Sequence, residues 1–243
     1  ITGNKSSKNL EREESCSLTV NDLVKKLQEF STAFYTESKL RLFSIILTGS
    51  LAWEVKPQST ADADVMLVSR FYDILIKREY ERYMKARLPG MEMDVGVYPV
   101  SRIREEKSLF LYDTKHHGKV LAGNDALKLI TEITVEDLYP FEGFRLLLNR
   151  IEDLLKSIED YTPANVTLNP VNFKIATRRI IRAYVDSYLI FNKIIDPNHG
   201  KRLSTFLSMK HSMPKIMEIQ DARKILLEGL QYGLEATKID SFD

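Results

Sequence analysis

Residues 47–68, LTGSLAWEVKPQSTADADVMLV, set two aspartates one residue apart at the head of an apolar run. Asp62 and Asp64 flank only Ala63, and Val65, Met66, Leu67 and Val68 follow. In a strand, residues two apart point to the same side. Both carboxylates then share one face, where their like charges repel. A chain accepts that where a cation joins them, or where the pair sits at an open strand end in water.

The flanking sequence narrows the choice. Arg41 to Leu47 is rich in Phe, Ile and Leu, reads as a buried strand, and runs into Thr48-Gly49-Ser50. Met91 to Tyr98 reads as a third strand, with Asp94 between Met93 and Val95 and Pro99 as its end. An aspartate inside an apolar strand is costly without a partner. Glu92, on the same face, is a rival third carboxylate. Glycine lets the backbone approach a phosphate closely, serine adds a hydroxyl donor, and a helix start presents free N–H groups. Two aspartates on one face can bridge divalent metals through oxygen, the donor that Mg²⁺ prefers. A third aspartate on a neighbouring strand completes a clamp for phosphoryl chemistry.

The three pieces together resemble the DNA polymerase β-like nucleotidyltransferase superfamily. Its pattern is hydrophobic-Gly-Ser, a gap of this size, Asp-x-Asp, then a hydrophobic-Asp-hydrophobic strand. Gly49, Ser50, Asp62, Asp64 and Asp94 occupy the matching positions, and the motifs span roughly residues 40 to 100. The helical second half is more weakly similar to the small-molecule and antibiotic nucleotidyltransferases. Two departures stand out. Leu51-Ala52-Trp53 replaces a second glycine common among relatives, with Trp53 as a packing stand-in, and Ala61 replaces a serine before the first aspartate.

The resemblance implies transfer of a nucleoside monophosphate, AMP from ATP before other nucleoside triphosphates, to a hydroxyl of a small-molecule acceptor with release of pyrophosphate. It also implies that Asp62, Asp64 and Asp94 bind two Mg²⁺ ions and that Gly49 and Ser50 cradle the β,γ-phosphates. Asp94 would sit beside the acceptor and help deprotonate it. Alternatives are modification of a protein side chain or a tRNA end, and a nucleotide-binding module that has lost turnover.

Composition supports a folded chain. Of 243 residues, 44% are hydrophobic and 28% charged, enough for a sizeable core. Lys and Arg number 35 against 34 Asp and Glu, so the basic excess of a nucleic-acid-coating domain is missing. Cys16 is the single cysteine, which excludes a disulfide framework and a thiolate zinc site. No stretch has membrane-spanning length and no signal-peptide pattern occurs, so the expected location is cytoplasmic. The oligomeric state stays open.

Periodicity lays out the rest. Residues 1–17 read as a loose polar arm, and Leu18 to Phe34 as a helix capped by Thr19 or Asn21. Pro57 and Ser59-Thr60 mark a turn, and Ala63 to Val68 a second strand. Phe71 to Arg87 reads as a helix, and Ser101 caps another through Tyr112. His116-His117-Gly118 reads as a surface turn. From Val135 onward the patterns are helical: Phe141 to Ile158, Val171 to Ile195, and Pro214 to Ala236. The expected class is α+β. An N-terminal unit (residues 18–125) holds a mixed β-sheet with flanking helices, and a C-terminal helical bundle (135–243) follows.

On the long helix Lys174, Arg178 and Arg182 lie four apart, with Asp186 continuing the row. The row fits either a phosphate-binding edge, with Lys174 and Arg178 on the nucleotide, or a solvated face. The same two readings apply to Arg145 and Arg150. Tyr184 and Tyr188 read as core.

Overall fold

The structure, a computed structural model, describes residues 19–52, 62–159, 170–217 and 219–237. The expectations on Cys16, Trp53, Pro57, Ser59-Thr60 and Ala61 lie outside the described residues. In chain order the elements are α1 (Val20–Ser38), β1 (Leu42–Thr48), α2 (Gly49–Ala52), β2 (Ala63–Ser69), α3 (Ile74–Arg87), β3 (Met93–Pro99), α4 (Val100–Glu105), α5 (Leu109–His117) and β4 (Lys119–Gly123). A 3₁₀ turn (Ala126–Leu129) leads to α6 (Val135–Leu138), α7 (Phe141–Glu159), α8 (Pro170–Phe191), α9 (His199–Lys210) and α10 (Ile219–Thr237).

The four strands form one mixed sheet in the order β3-β2-β1-β4. β1 runs antiparallel to both neighbours, whereas β2 and β3 are parallel and joined through α3. The central strands β1 and β2 are apolar on both faces because both faces are covered. On one face Ile45, Leu47, Val65 and Leu67 pack with Leu27 and Phe34 of α1 and Ile76, Tyr80 and Met84 of α3. A buried 2.7 Å hydrogen bond between the Ser31 and Tyr80 hydroxyls ties these two helices. On the other face Ile46, Met66 and Val68 pack with Ile103, Leu111, Tyr112 and Ile190. Ile190 belongs to α8, so the helical half shares the sheet's second core. A third cluster, built around Leu147, Tyr184, Tyr188 and Phe206, holds the bundle together.

Capping chemistry sets the ends. Thr19 and Asp22 form a reciprocal capping box at the start of α1. Asp73 accepts from the N–H groups of Leu75 and Ile76 and so starts α3 three residues later than hydrophobic spacing predicts, leaving Phe71 and Tyr72 exposed. Ser108 caps α5 in the same way, which splits the single helix expected over 101–112 into α4 and α5. His116 and His117 therefore lie in the last turn of α5 and not in a surface turn. Their ring nitrogens meet the carbonyls of Tyr112 (2.8 Å) and Pro197 (2.5 Å). Val120, Leu121 and Ala122 form the middle of strand β4. The expected final helix over 214–236 begins at Ile219, and α9 precedes it. No described helix is long and apolar enough to cross a membrane.

Candidate functional site at the edge of the sheet

The site follows from register. β1 ends where β2 and β3 begin, so Thr48, Asp64 and Asp94 stand side by side across three strands. Alternation puts Asp64 on the face of Met66 and Val68, the face covered by α5 and α8. The Thr48 hydroxyl donates to the main-chain oxygen of Asp64 at 3.2 Å. Immediately after Thr48 the chain turns through Gly49, whose φ of +66° belongs to the left-handed region. A Cβ at Gly49 would stand 1.8 Å from the Asp64 Oδ2. Glycine is thus needed twice here, for the backbone conformation and for the space that the carboxylate fills. Ser50 follows in the first turn of α2, half-buried.

A cleft of about 420 Å³ opens over this edge. Thr48, Gly49, Asp64 and Asp94 form its sheet side, Phe110, Asp113 and Thr114 come from α5, and Arg145, Arg150, Arg179, Arg182 and Asp186 come from α7 and α8. Its walls therefore come from both the sheet half and the helical half.

The electrostatics are uneven. Burial, with the charges of Asp62 and Asp94 added, pushes the Asp64 carboxyl up to about 6. The charges of Arg179 and Arg182 act on it in the opposite direction. Deeper in, Asp113 meets the guanidinium of Arg202 and lies 3.2 Å from the His199 Nε2. Burial raises the Asp113 carboxyl, but the hydrogen bond to His199 and the charge of Arg202 outweigh it and hold it below the usual range. Asp186 lies 3.6 Å from the Arg202 Nη1 and 3.7 Å from the Arg182 Nε, and its burial raises it. Arg202 itself is 2% exposed. This network fastens α5 to α8 and α9 beneath the cleft.

Asp62, half-buried at the entrance to β2, acts on Asp64 through its charge. Arg178 is exposed and is not among the cleft-lining residues, whereas its neighbour Arg179 is. Lys174 lies in α8, and its side chain is outside the described residues. Among the described side chains, the cleft-facing row on α8 is thus Arg179, Arg182, Ala183 and Asp186. Spacings of three and four share a helix face equally well, and the sequence row took the fours. Tyr184 and Tyr188, read as core and buried in the structure, set the phase that the row of fours did not use. Phe110 and Asp113 of α5 and Arg202 of α9 were not singled out for this site, because nothing in the sequence links two helices so far apart in the chain.

Among the described residues no three His, Cys, Asp or Glu side chains gather as a ready metal site. The donor set nonetheless fits Mg²⁺. That ion is commonly held by one or two carboxylates and completed by substrate phosphates, not enclosed by a protein cage. Asp64 and Asp94, adjacent on parallel strands with Asp62 close by, supply oxygen donors and an excess of negative charge.

No family model matches the chain, and no curated protein matches it. Among solved structures, the chain is similar to a spectinomycin adenyltransferase AAD(9) from Enterococcus faecialis with ATP and spectinomycin. The identity is 14% and the TM-score 0.47, over 91% of this chain and 100% of that one. A mutant of the toxin–antitoxin MntA-HpeT gives 14% identity and a TM-score of 0.32, over 58% of this chain and 99% of the other. A toxin–antitoxin with AMP-PNP gives 17% identity and a TM-score of 0.30, over the same 58% and 99%.

Proposed function

We propose that this chain is a Mg²⁺-dependent nucleotidyltransferase that moves a nucleoside monophosphate, AMP from ATP, onto a hydroxyl of a small-molecule acceptor. One observation carries the reading: Gly49 packs in the left-handed conformation on Asp64, and Asp94 stands beside Asp64 on the parallel strand. Residues 18–125 form the catalytic unit in this reading, and 135–243 the helical unit that closes the cleft.

The acceptor oxygen attacks the α-phosphorus of the triphosphate. A P–O bond forms there, the bond to the bridging oxygen breaks, and pyrophosphate leaves with that electron pair. The acceptor proton passes to Asp94 or through it to water. Asp62, Asp64 and Asp94 would hold Mg²⁺, which when bound neutralises phosphate charge and favours the acceptor alkoxide. The Gly49 and Ser50 turn brings backbone N–H groups to the β,γ-phosphates, with no Cβ at Gly49 to intervene. Arg179 and Arg182 complement the departing charge from α8. Most of the catalysis is then positioning and charge neutralisation.

The test is pyrophosphate release from ATP and Mg²⁺ across a panel of hydroxylated acceptors, with the labelled α-phosphate followed into product. Label transfer that disappears in Asp94→Asn supports the reading. Mg²⁺-dependent ATP binding without transfer to any acceptor would favour a binding module instead.

A further inference from the structure

The nature of the acceptor is written in how the cleft's charges are already spent. Four carboxylates line it: Asp64, Asp94, Asp113 and Asp186. The first two sit at the strand ends that hold the metal in the reading above. The other two are engaged from within the protein, Asp113 by Arg202 and His199, Asp186 by Arg202 and Arg182. Each is 5% exposed and already paired, so both offer an ammonium-bearing acceptor less than a free carboxylate would.

Beside Asp94 the wall has the opposite character. Asp94, Gly96 and Tyr98 alternate onto one face of β3. Tyr98 stacks on Phe110, with ring centroids 5.4 Å apart and planes 20° from parallel. Phe110 lines the cleft and remains 37% exposed. Arg145 reaches the same cleft from α7, its side chain 49% exposed. Glu142 grips the Arg145 Nε at 2.5 Å and an Nη at 2.6 Å. The same Glu142, 5% exposed, accepts the N–H of Leu109 at 2.8 Å. One buried carboxylate thus fixes both the cation and the start of the helix that carries Phe110. A guanidinium has five N–H donors, so a two-point grip by Glu142 leaves others for a ligand. A planar fork of that kind matches phosphate and carboxylate.

We infer that the acceptor is a ring-bearing hydroxyl compound carrying a phosphate or carboxylate, its ring against Phe110 and its anion on Arg145. It is not a polycationic amino sugar. This assignment rests on the nucleotidyltransferase reading, and the experiment separates the two.

AMP-PNP with Mg²⁺ is titrated first, as the check on the nucleotide site. Glucose, glucose 6-phosphate and glucosamine are then titrated into the loaded protein as matched neutral, anionic and cationic rings. Glucose 6-phosphate is expected to bind about tenfold or more tighter than glucose, the scale of one charge-assisted hydrogen bond. Glucosamine should bind no better than glucose. Arg145→Gln should erase the anionic advantage and leave glucose and AMP-PNP affinities in place. Arg145→Lys should keep part of it, and Phe110→Ala should weaken all three rings alike. Tighter binding of glucosamine, or no binding by any of the three, overturns the acceptor assignment while AMP-PNP binding still supports the nucleotide site. Loss of AMP-PNP affinity in Arg145→Gln also overturns it, by moving Arg145 to the triphosphate. Failure of AMP-PNP to bind removes the nucleotide reading and the assignment built on it.

Discussion

Gly49 and Asp64 compete for one volume, since the Asp64 Oδ2 occupies a place 1.8 Å from where a Cβ on Gly49 would be. The turn after β1 and the carboxylate at the head of β2 are therefore a single structural unit. Gly49→Ala should strain the left-handed backbone by roughly 1–2 kcal/mol and displace the Asp64 side chain. The expected outcome is a lower melting temperature together with loss of Mg²⁺-dependent nucleotide affinity. Retention of full affinity would show that the carboxylate's position does not matter.

Asp64 also makes stability depend on pH in a definite direction. Its carboxyl ionises near 3.8 in an unfolded chain and near 6 in the fold. Between those values the folded state holds the extra proton, so stability falls as pH rises through the window. The difference corresponds to about 3 kcal/mol. In metal-free buffer, Asp64→Asn should be more stable than the parent at pH 7, by up to that amount. The gap should narrow through the window and close only by about pH 3, below both values. Denaturant melts at three pH values measure it, and a variant less stable at pH 7 contradicts the account.

The ion network under the cleft should behave as a unit. Arg202 is buried between Asp113 and Asp186. Arg202→Met removes the buried cation that Asp113 and Asp186 share, leaving them His199 and Arg182, and should cost about 3–5 kcal/mol, whereas removing Asp113 and Arg202 together should cost less than the sum of the single changes. A double-mutant cycle by urea melting reads the coupling, and strict additivity would dissolve the network.

Two neighbouring arginines should part company. Arg179 lines the cleft and acts on Asp64, while Arg178 is exposed outside the lining. Arg179→Ala should weaken ATP binding about tenfold, the scale of a lost charge-assisted contact. Arg178→Ala should change it less than twofold. Equal losses would restore the row of fours.

These cases show what a sequence carries and what it leaves out. Strand alternation at Asp64 and at Asp94 fixes a face, and an apolar run fixes burial, so the sheet edge was readable from local pattern. The kink at Ser108 was harder, because its hydroxyl captures the Leu111 N–H inside an otherwise helical stretch. Strand β4 is too short to announce itself, and it gains its identity only by pairing with β1. The arginine phase on α8 was missed because helical spacing admits two neighbouring rows, and the core reading of Tyr184 and Tyr188, which pack against Phe206, was not used to choose between them. The acceptor wall was least legible. Phe110, Glu142 and Arg145 come from two elements whose meeting depends on a hydrogen bond between Leu109 and Glu142.

The central claim is that this sheet edge binds a nucleotide together with Mg²⁺. Calorimetric titration of ATP, with and without Mg²⁺, into the parent protein and Asp64→Asn tests it most directly. The account predicts ATP binding that requires Mg²⁺ in the parent and is lost in Asp64→Asn, although that variant stays folded. Binding that is indifferent to Mg²⁺, or equal in the two proteins, would contradict it.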